Sequence, residues 1–417
     1  MLPSRQQTIA RKIVWTLFAA QCFGSAGFLA AATINSILGE KLTGSASLAT
    51  MPTAIYQLGT SAAAFGWGYG MDRLGRRGGL TLGIGVGALG ALIVTFSVGI
   101  GSLALFLFGL ILMGVAQSAL QLARFAAAEV HTAEERGRAI SNVVIGGTAG
   151  TLVWPTLSNT FGPWMQSLGV DELAWPYLVS FALFTIAAVI IFILLRPDPR
   201  DIGRELAQLQ SEQQSDTTHG AARSIPEILR QPAALVAMAA MIFGQAVMVM
   251  VMVITPLHMR GHDHIVPDIS LVLSSHVFGM FAFSILSGRL ADHFGRGPVI
   301  LVGAATLILA CLTAPLSPDL VPLGVALFLL GLGWNFCYVG GSSLLADQLS
   351  PEERSRTQGF NDLLIALVSA VGSFGSGVVF AAIGYGTMGL VGAAAAVIPL
   401  ALVLWWQVTR PIPVTAQ

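Results

Sequence analysis

Apolar and polar positions fall in long blocks along this chain. Ten stretches contain no Asp, Glu, Lys or Arg: residues 13–39, 42–71, 78–123, 139–170, 173–195, 231–259, 269–288, 297–318, 320–346 and 363–409. A helix that crosses a bilayer needs about 20 mainly apolar residues. Eight stretches accommodate one such helix each. Stretches 78–123 and 363–409 accommodate two, and each has a turn signal near its middle, Gly99-Ile100-Gly101-Ser102 and Gly384-Tyr385-Gly386. The pattern predicts an all-α polytopic membrane protein with twelve transmembrane helices, numbered here as spans 1 to 12.

Composition agrees. Charged residues make up 10% of the chain, against about 25% in soluble domains. Mean hydropathy is +0.76, incompatible with a water-facing surface throughout. The net charge of zero is uninformative, but its placement is not. Of the 21 Lys and Arg, all but Lys41, Arg260 and Arg124 fall in the N-terminal tail, the loops after even-numbered spans, or the C-terminal tail. The positive-inside rule then puts both termini in the cytoplasm of a cell inner or plasma membrane. Cys22, Cys311 and Cys337 all lie within spans, so no disulfide framework is expected. The first apolar stretch exceeds a signal-peptide core and is read as a retained span.

One long hydrophilic segment, 196–230, divides the chain. It suggests a six-helix bundle over 1–195, a cytoplasmic linker over 196–231 and a second six-helix bundle over 232–417. The middle of the segment, 208–215, is polar and of low complexity, as mobile linkers are. Residues 225–229 suit either a short helix on the membrane face or a solvated turn. The halves echo each other. Gly68, Asp72, Gly75 and Arg76 recur as Gly288, Asp292, Gly295 and Arg296, an offset of 220. Glu134-Glu135-Arg136 recurs as Glu352-Glu353-Arg354, an offset of 218. Duplicated six-helix units are the arrangement of transporters that rock two bundles about a midplane site.

With twelve spans, a central loop and this repeat, the chain resembles the major facilitator superfamily over essentially its whole length. The specific element is the loop after span 2, Gly-x-x-x-Asp-Arg-x-Gly-Arg-Arg, matched by Gly68, Asp72, Arg73, Gly75, Arg76 and Arg77. Gly68 allows close helix approach, and Gly75 a tight reversal. Asp72 can complement a neighbouring helix N-terminus. In the family that neighbour is helix 11, so the resemblance implies a latch between the halves. Arg76 is expected to pair with Glu129 at the end of span 4, and Asp292, Arg296 and Asp347 form the matching set. Arg73 and Arg77 fit the topology rule alone. Two departures separate the chain from proton-driven drug antiporters. Residues 107–114 of span 4 carry no Arg, and Pro155 of span 5 lies between Trp154 and Thr156 rather than after a Gly.

Ionisable groups inside a bilayer cost about 2.5–3.5 kcal/mol each at a helix centre, so they are functional candidates. Arg124 lies about 7 Å inside the end of span 4, and Asp362 is at a similar depth in span 11. They are candidates for an inner-gate pair. Arg124 could instead snorkel, and Asp362 could bind a coupling proton. His258, His262, His264 and His276 cluster around the loop after span 7. Imidazole with carboxylate suits transition metals or external pH sensing, although the spacing matches no closed metal motif.

By resemblance, the solute chamber draws on helices 1, 4, 7 and 10. Candidates there are Gln21, Asn35, Gln117, Gln121, Gln245, Trp334, Asn335 and Tyr338, a set suited to a moderately hydrophobic organic solute. The same amides could simply tie helices together. No phosphate-binding loop, catalytic triad or redox motif occurs, so neither an enzyme nor direct ATP drive is expected. The expectation is a secondary active transporter working by alternating access, functional as a monomer. Its partners are lipid and a small solute, without nucleic acid and without a cofactor other than a coupling proton. A metal or other cation transporter and a non-transporting sensor on the same scaffold are the alternatives.

Overall fold

The computed structural model describes residues 4–131, 135–204 and 223–409; side chains at 4–6, 65, 68, 69, 72, 136, 137, 351, 352 and 354–356 are outside that description. Gly68, Asp72, the echo at 134 and the linker centre at 208–215 thus lie outside the described residues or side chains.

Every regular element among the described residues is helical. They are α1 (Ser4–Ala32), α2 (Asn35–Thr43), α3 (Met51–Ile100), α4 (Leu103–Glu129), α5 (Arg136–Ser167), α6 (Trp175–Leu194), α7 (Ile225–Leu229), α8 (Pro232–Arg260), α9 (Val266–Phe281), α10 (Ser284–Phe294), α11 (Arg296–Thr313), α12 (Leu320–Asp347) and α13 (Pro351–Thr409). Nine helical segments among the described residues are long and apolar enough to cross a membrane. The chain has the all-α, membrane-spanning class that its apolar blocks predict.

Two compact units result. The first comprises Met1–Thr217, Val253–Ser274 and Ser373–Val378, and the second Thr218–Met252, Ser275–Gly372 and Val379–Gln417. In the first unit α1 packs on α5 and α6, and α3 packs on α4 and α6. Lipid gives helices no hydrophobic reason to associate, so close van der Waals fit carries the packing. Small residues make that fit possible. Gly146 and Gly150, one turn apart on α5, lie against the Phe18 and Cys22 carbonyls of α1. Gly83 of α3 faces Ala119 of α4, and Gly303 of α11 faces Cys337 of α12. These two contacts carry the 220 and 218 offsets of the sequence repeat.

The turn glycines repeat as well. Gly75 has φ 78 and ψ 168, and Gly295 has φ 90 and ψ 161. Both values lie in a region essentially restricted to glycine. A third glycine, Gly384, kinks α13 with φ 72 and ψ 173.

Within the second unit, α7 is a formed helix rather than a turn. Ser224 and Glu227 make a capping box at its start, with the Ser224 N–H 2.6 Å and its hydroxyl 2.7 Å from Glu227 Oε2. Ile228 is fully buried in a cluster with Ala234, Met238, Leu345 and Trp406. Leu229 packs against the same cluster, and this burial supplies what the length of a five-residue helix cannot.

The Gly75 turn yields a test. An added Cβ there would overlap the Asp198 carboxylate, whereas at Gly85 of α3 nothing lies within 4 Å. Gly75→Ala should therefore destabilise by about 1–3 kcal/mol, read as a lowered melting temperature in detergent. Gly85→Ala should leave stability unchanged or raise it, since alanine favours helix. Equal effects at the two sites would remove the conformational argument.

Candidate functional site

The chemistry-bearing side chains gather in three places: the two ends of the helices and a set of polar groups between them. At the Gly75 end, the reversal exposes the first amides of the helical stretch 76–100. Asp198 caps them. Its carboxylate accepts from the Arg76 N–H at 3.1 Å, the Arg77 N–H at 3.1 Å and the Arg200 N–H at 3.0 Å. A carboxylate is favoured there because it meets both unsatisfied donors and the positive end of the helix dipole. The Arg76 guanidinium is thereby aimed at Glu129. Nε lies 3.0 Å from each carboxylate oxygen and Nη2 2.7 Å from Oε1. Such two-point pairing is the strong form of the interaction. Arg73 is exposed, and its carbonyl accepts from Arg200 Nη1 at 3.4 Å.

The second unit repeats the theme. Arg296 Nη1 lies 2.6 Å from Asp292, and its Nε lies 3.2 Å from Asp347. The structure thus brings together Arg76 with Glu129 and Arg296 with both of its expected acids. Asp198 is a residue that sequence reasoning missed. Its signal was present in Pro197-Asp198-Pro199, an acid between two residues that donate no backbone hydrogen bond.

A further pair was also missed. Glu353 is 2% exposed and accepts from Arg223 through Nε at 2.8 Å and Nη2 at 2.7 Å, and from the Arg223 and Ser350 amides at 2.8 and 3.0 Å. The Arg223 guanidinium and these amides hold its carboxyl well below the ordinary value. Arg223 is raised in turn by Glu353, and the Ser224 hydroxyl lowers Glu227. Arg223 precedes Ser224, the cap of α7, so the pair fastens the end of the linker.

At the opposite end lies a cavity of about 380 Å³ lined by Ile37, Glu40, Lys41, Asp171, Glu172, Leu173 and Arg260. Arg260, the last residue of α8, grips Glu172 with Nη1 at 2.9 Å and Nη2 at 2.6 Å. Lys41 lies 3.7 Å from Asp171. Lys41 and Arg260, two of the three cations that the sequence sets apart from the others, therefore meet two adjacent acids before α6. Close by in sequence, the His258 and His262 rings meet edge to face at 4.5 Å, and His264 lies 3.5 Å from Asp268. His276 belongs to the second unit, fully buried, with Nδ1 2.9 Å from the Leu327 carbonyl. Among the described residues no group of three His, Cys, Asp or Glu side chains could hold a metal ion.

Between the ends, the candidate amides divide. The Asn35 side chain is buried and accepts from the Tyr177 hydroxyl at 2.5 Å. Asn335 donates to the Met280 carbonyl at 2.6 Å and the Ser284 hydroxyl at 2.8 Å, and accepts from Ser287. These two asparagines are spent on ties between helices. Gln21 lies 3.5 Å from Ser25, with its Oε1 buried and without a partner. Gln117 is half-buried and Gln121 exposed. In the second unit Gln245 bridges two helices: its Nε2 is 2.8 Å from the Ser369 hydroxyl, and its Oε1 accepts from the Trp334 indole at 2.7 Å. Trp334 stacks on Tyr338 at 4.9 Å and 18°, with Phe281 edge-on at 6.0 Å. Arg124 is exposed, its guanidinium 4.9 Å above the Phe125 ring, and Asp362 is exposed on α13 in the other unit.

The depressed Glu353 carboxyl fixes the sign of a pH effect. A group whose value is lowered on folding stabilises fully above its unfolded value, ordinarily 4.5, and loses that contribution as pH falls further. The melting temperature of the wild type should exceed that of Glu353→Gln most near neutrality. The gap should narrow below about pH 4.5. A gap constant with pH would mean that the charge on Glu353 contributes nothing.

The sequence model of the Major Facilitator Superfamily matches residues 16–265 and 246–417. YddS of Bacillus subtilis (strain 168), described as an uncharacterized MFS-type transporter, is 34% identical over 97% of this chain and 93% of its own. The riboflavin transporter RfnT of Brucella anthropi is 29% identical over 91% of this chain and 92% of its own. Among solved structures, the nucleoside transporter NupG superposes with a TM-score of 0.68 at 13% identity, covering 95% of this chain and 99% of that one; that likeness concerns the fold. With its helical fold, its repeated arginine–carboxylate turns and these relatives, this chain belongs to the Major Facilitator Superfamily and is a multi-pass membrane transporter, not an enzyme.

Proposed function

We propose that this transporter carries a planar, moderately hydrophobic organic solute by alternating access, driven by proton movement. The observation that carries the reading is the Gln245–Trp334–Tyr338 cluster. Trp334 and Tyr338 offer a stacked aromatic platform, and the two bonds on Gln245 hold its amide in one orientation. Aromatic faces with a few fixed polar groups suit a flat, partly apolar ligand. A riboflavin transporter among the relatives supports the same solute class.

The proposed topology has twelve spans with both termini cytoplasmic. It counts the nine apolar helical segments, adds 51–74 and α5, and divides α13 at Gly384. The Lys and Arg distribution supports the orientation. On that reading the Arg76 and Arg296 turns face the cytoplasm, where Gly68, Asp72 and Asp292 belong to the gating machinery. The Arg260–Glu172 pair faces outward and acts as an external latch. Asp362, an ionisable side chain within the apolar part of α13, is the candidate proton carrier.

Uptake and counterflow in proteoliposomes test the function, using labelled riboflavin and a panel of aromatic and aliphatic solutes. Aromatic members should exchange. Trp334→Ala should raise KM for them about tenfold, the scale of a lost aromatic contact. Asp362→Asn should retain counterflow and lose stimulation by a pH gradient. A protein that moves no solute in either direction would instead be a sensor.

The latch has its own test. With the native cysteines removed and a cysteine placed at Ile37, Arg260→Glu or Glu172→Arg should speed labelling by an impermeant thiol reagent. The double reversal should slow it again. Additive rates in the double variant would rule out direct coupling.

A further inference from the structure

A groove on the surface of the first unit has no part in the reading above. It runs between α3 and α6, with a volume of about 390 Å³. Its walls come from Thr81, Gly85, Ala88, Leu89 and Leu92 on α3 and from Phe181, Thr185, Ala188, Val189 and Phe192 on α6. On each helix the spacing is i, i+4, i+7, i+8 and i+11, one continuous helical face. Gly85, Ala88 and Ala188 form the depression, while Leu89, Val189 and Phe192 are about half exposed. In a membrane-spanning chain such a face meets acyl chains. Eleven residues of helix extend about 16 Å, close to half of a hydrocarbon core about 30 Å thick. The groove therefore has the length of one leaflet.

Its two ends differ. Leu92 and Phe181 line one end with apolar groups. The other lies beside Arg77, one turn before Thr81, whose guanidinium sits 4.7 Å above the Phe192 ring with Nε 2.9 Å from the Phe192 carbonyl. The terminal nitrogens of Arg77 have no partner among the described residues. The Thr81 hydroxyl oxygen is buried and has no hydrogen-bond partner either. Exposed Arg196 follows Phe192 by one turn, and Lys12 Nζ lies 3.4 Å from the Arg196 carbonyl. Of the acids at this end, Asp198 has its carboxylate occupied by backbone amides and Glu129 is held by Arg76.

We infer that the α3–α6 groove binds an anionic phospholipid, with one acyl chain in the groove and the phosphate against Arg77. On the orientation proposed above, the lipid belongs to the cytoplasmic leaflet. Charge complementarity selects the headgroup, and the apolar trough selects a chain. An unpaired cation at the open end of an apolar slot is what an anionic amphiphile neutralises.

Native mass spectrometry of the protein in mild detergent tests this. Phosphatidylglycerol and phosphatidylcholine of identical chains would be titrated separately. The wild type should retain phosphatidylglycerol more tightly. Arg77→Gln should weaken phosphatidylglycerol about fivefold, the weight of one basic residue at an anionic surface, and leave phosphatidylcholine unchanged. Gly85→Leu fills the trough where an added Cβ meets nothing within 4 Å, and should reduce retention of both lipids. Equal retention of the two lipids by the wild type would overturn the headgroup assignment without any variant. Unchanged phosphatidylglycerol binding in a folded Gly85→Leu protein would overturn the groove.

Discussion

A hydrocarbon interior offers no partner to a peptide N–H or carbonyl, and the rest of this structure follows from that constraint. Each backbone group in a span must be satisfied within its own segment, which leaves helix as the available form. Once the segments are helices, apolar side chains no longer drive them together, because lipid is as apolar as leucine. Association then depends on how closely backbones approach. Gly146 and Gly150 against α1, Gly83 against Ala119 and Gly303 against Cys337 supply that approach.

Charge is pushed to the ends by the same constraint, and there it is organised in pairs. Arg76 with Glu129, Arg296 with Asp292 and Asp347, Arg223 with Glu353, and Arg260 with Glu172 join segments distant in sequence, apart from the one-turn Arg296–Asp292 contact. Pairs about a third exposed contribute little to stability, and Arg260–Glu172, at 37% and 30%, is of this kind. Such a pair can break and reform at low cost, which suits a latch. Glu353 is different: enclosed and satisfied by four donors, it fixes the linker end rather than switching it.

The polar groups between the ends illustrate how identity underdetermines role. Asn35, Asn335 and Gln245 look alike as isolated amides in apolar sequence. In the fold Asn35 and Asn335 are closed off among helices, whereas Gln245 is bonded to an aromatic stack. The histidines make the same point. Four within nineteen residues read as a cluster, yet His276 is buried in one unit and bonded to the Leu327 carbonyl while the other three belong to the other unit. Proximity in sequence across a helix boundary carries little information about proximity in space.

Hydropathy alone determined the class, because a twenty-residue apolar run has one stable form in lipid. The repeat offset also disclosed in advance that Gly75 and Gly295, and Arg76 and Arg296, would be equivalent, since tight reversals and paired charges demand particular residues at fixed spacing. Other features awaited the tertiary structure. The capping role of Asp198, the Arg223–Glu353 fastening, the meeting of Lys41 and Arg260 with Asp171 and Glu172, and the α3–α6 groove all join segments whose separation in sequence is unrelated to their separation in space. Which amide ties helices and which stands beside an aromatic platform is set by helix rotation about its axis. Three-dimensional packing fixes that rotation, and the order of residues along one segment does not.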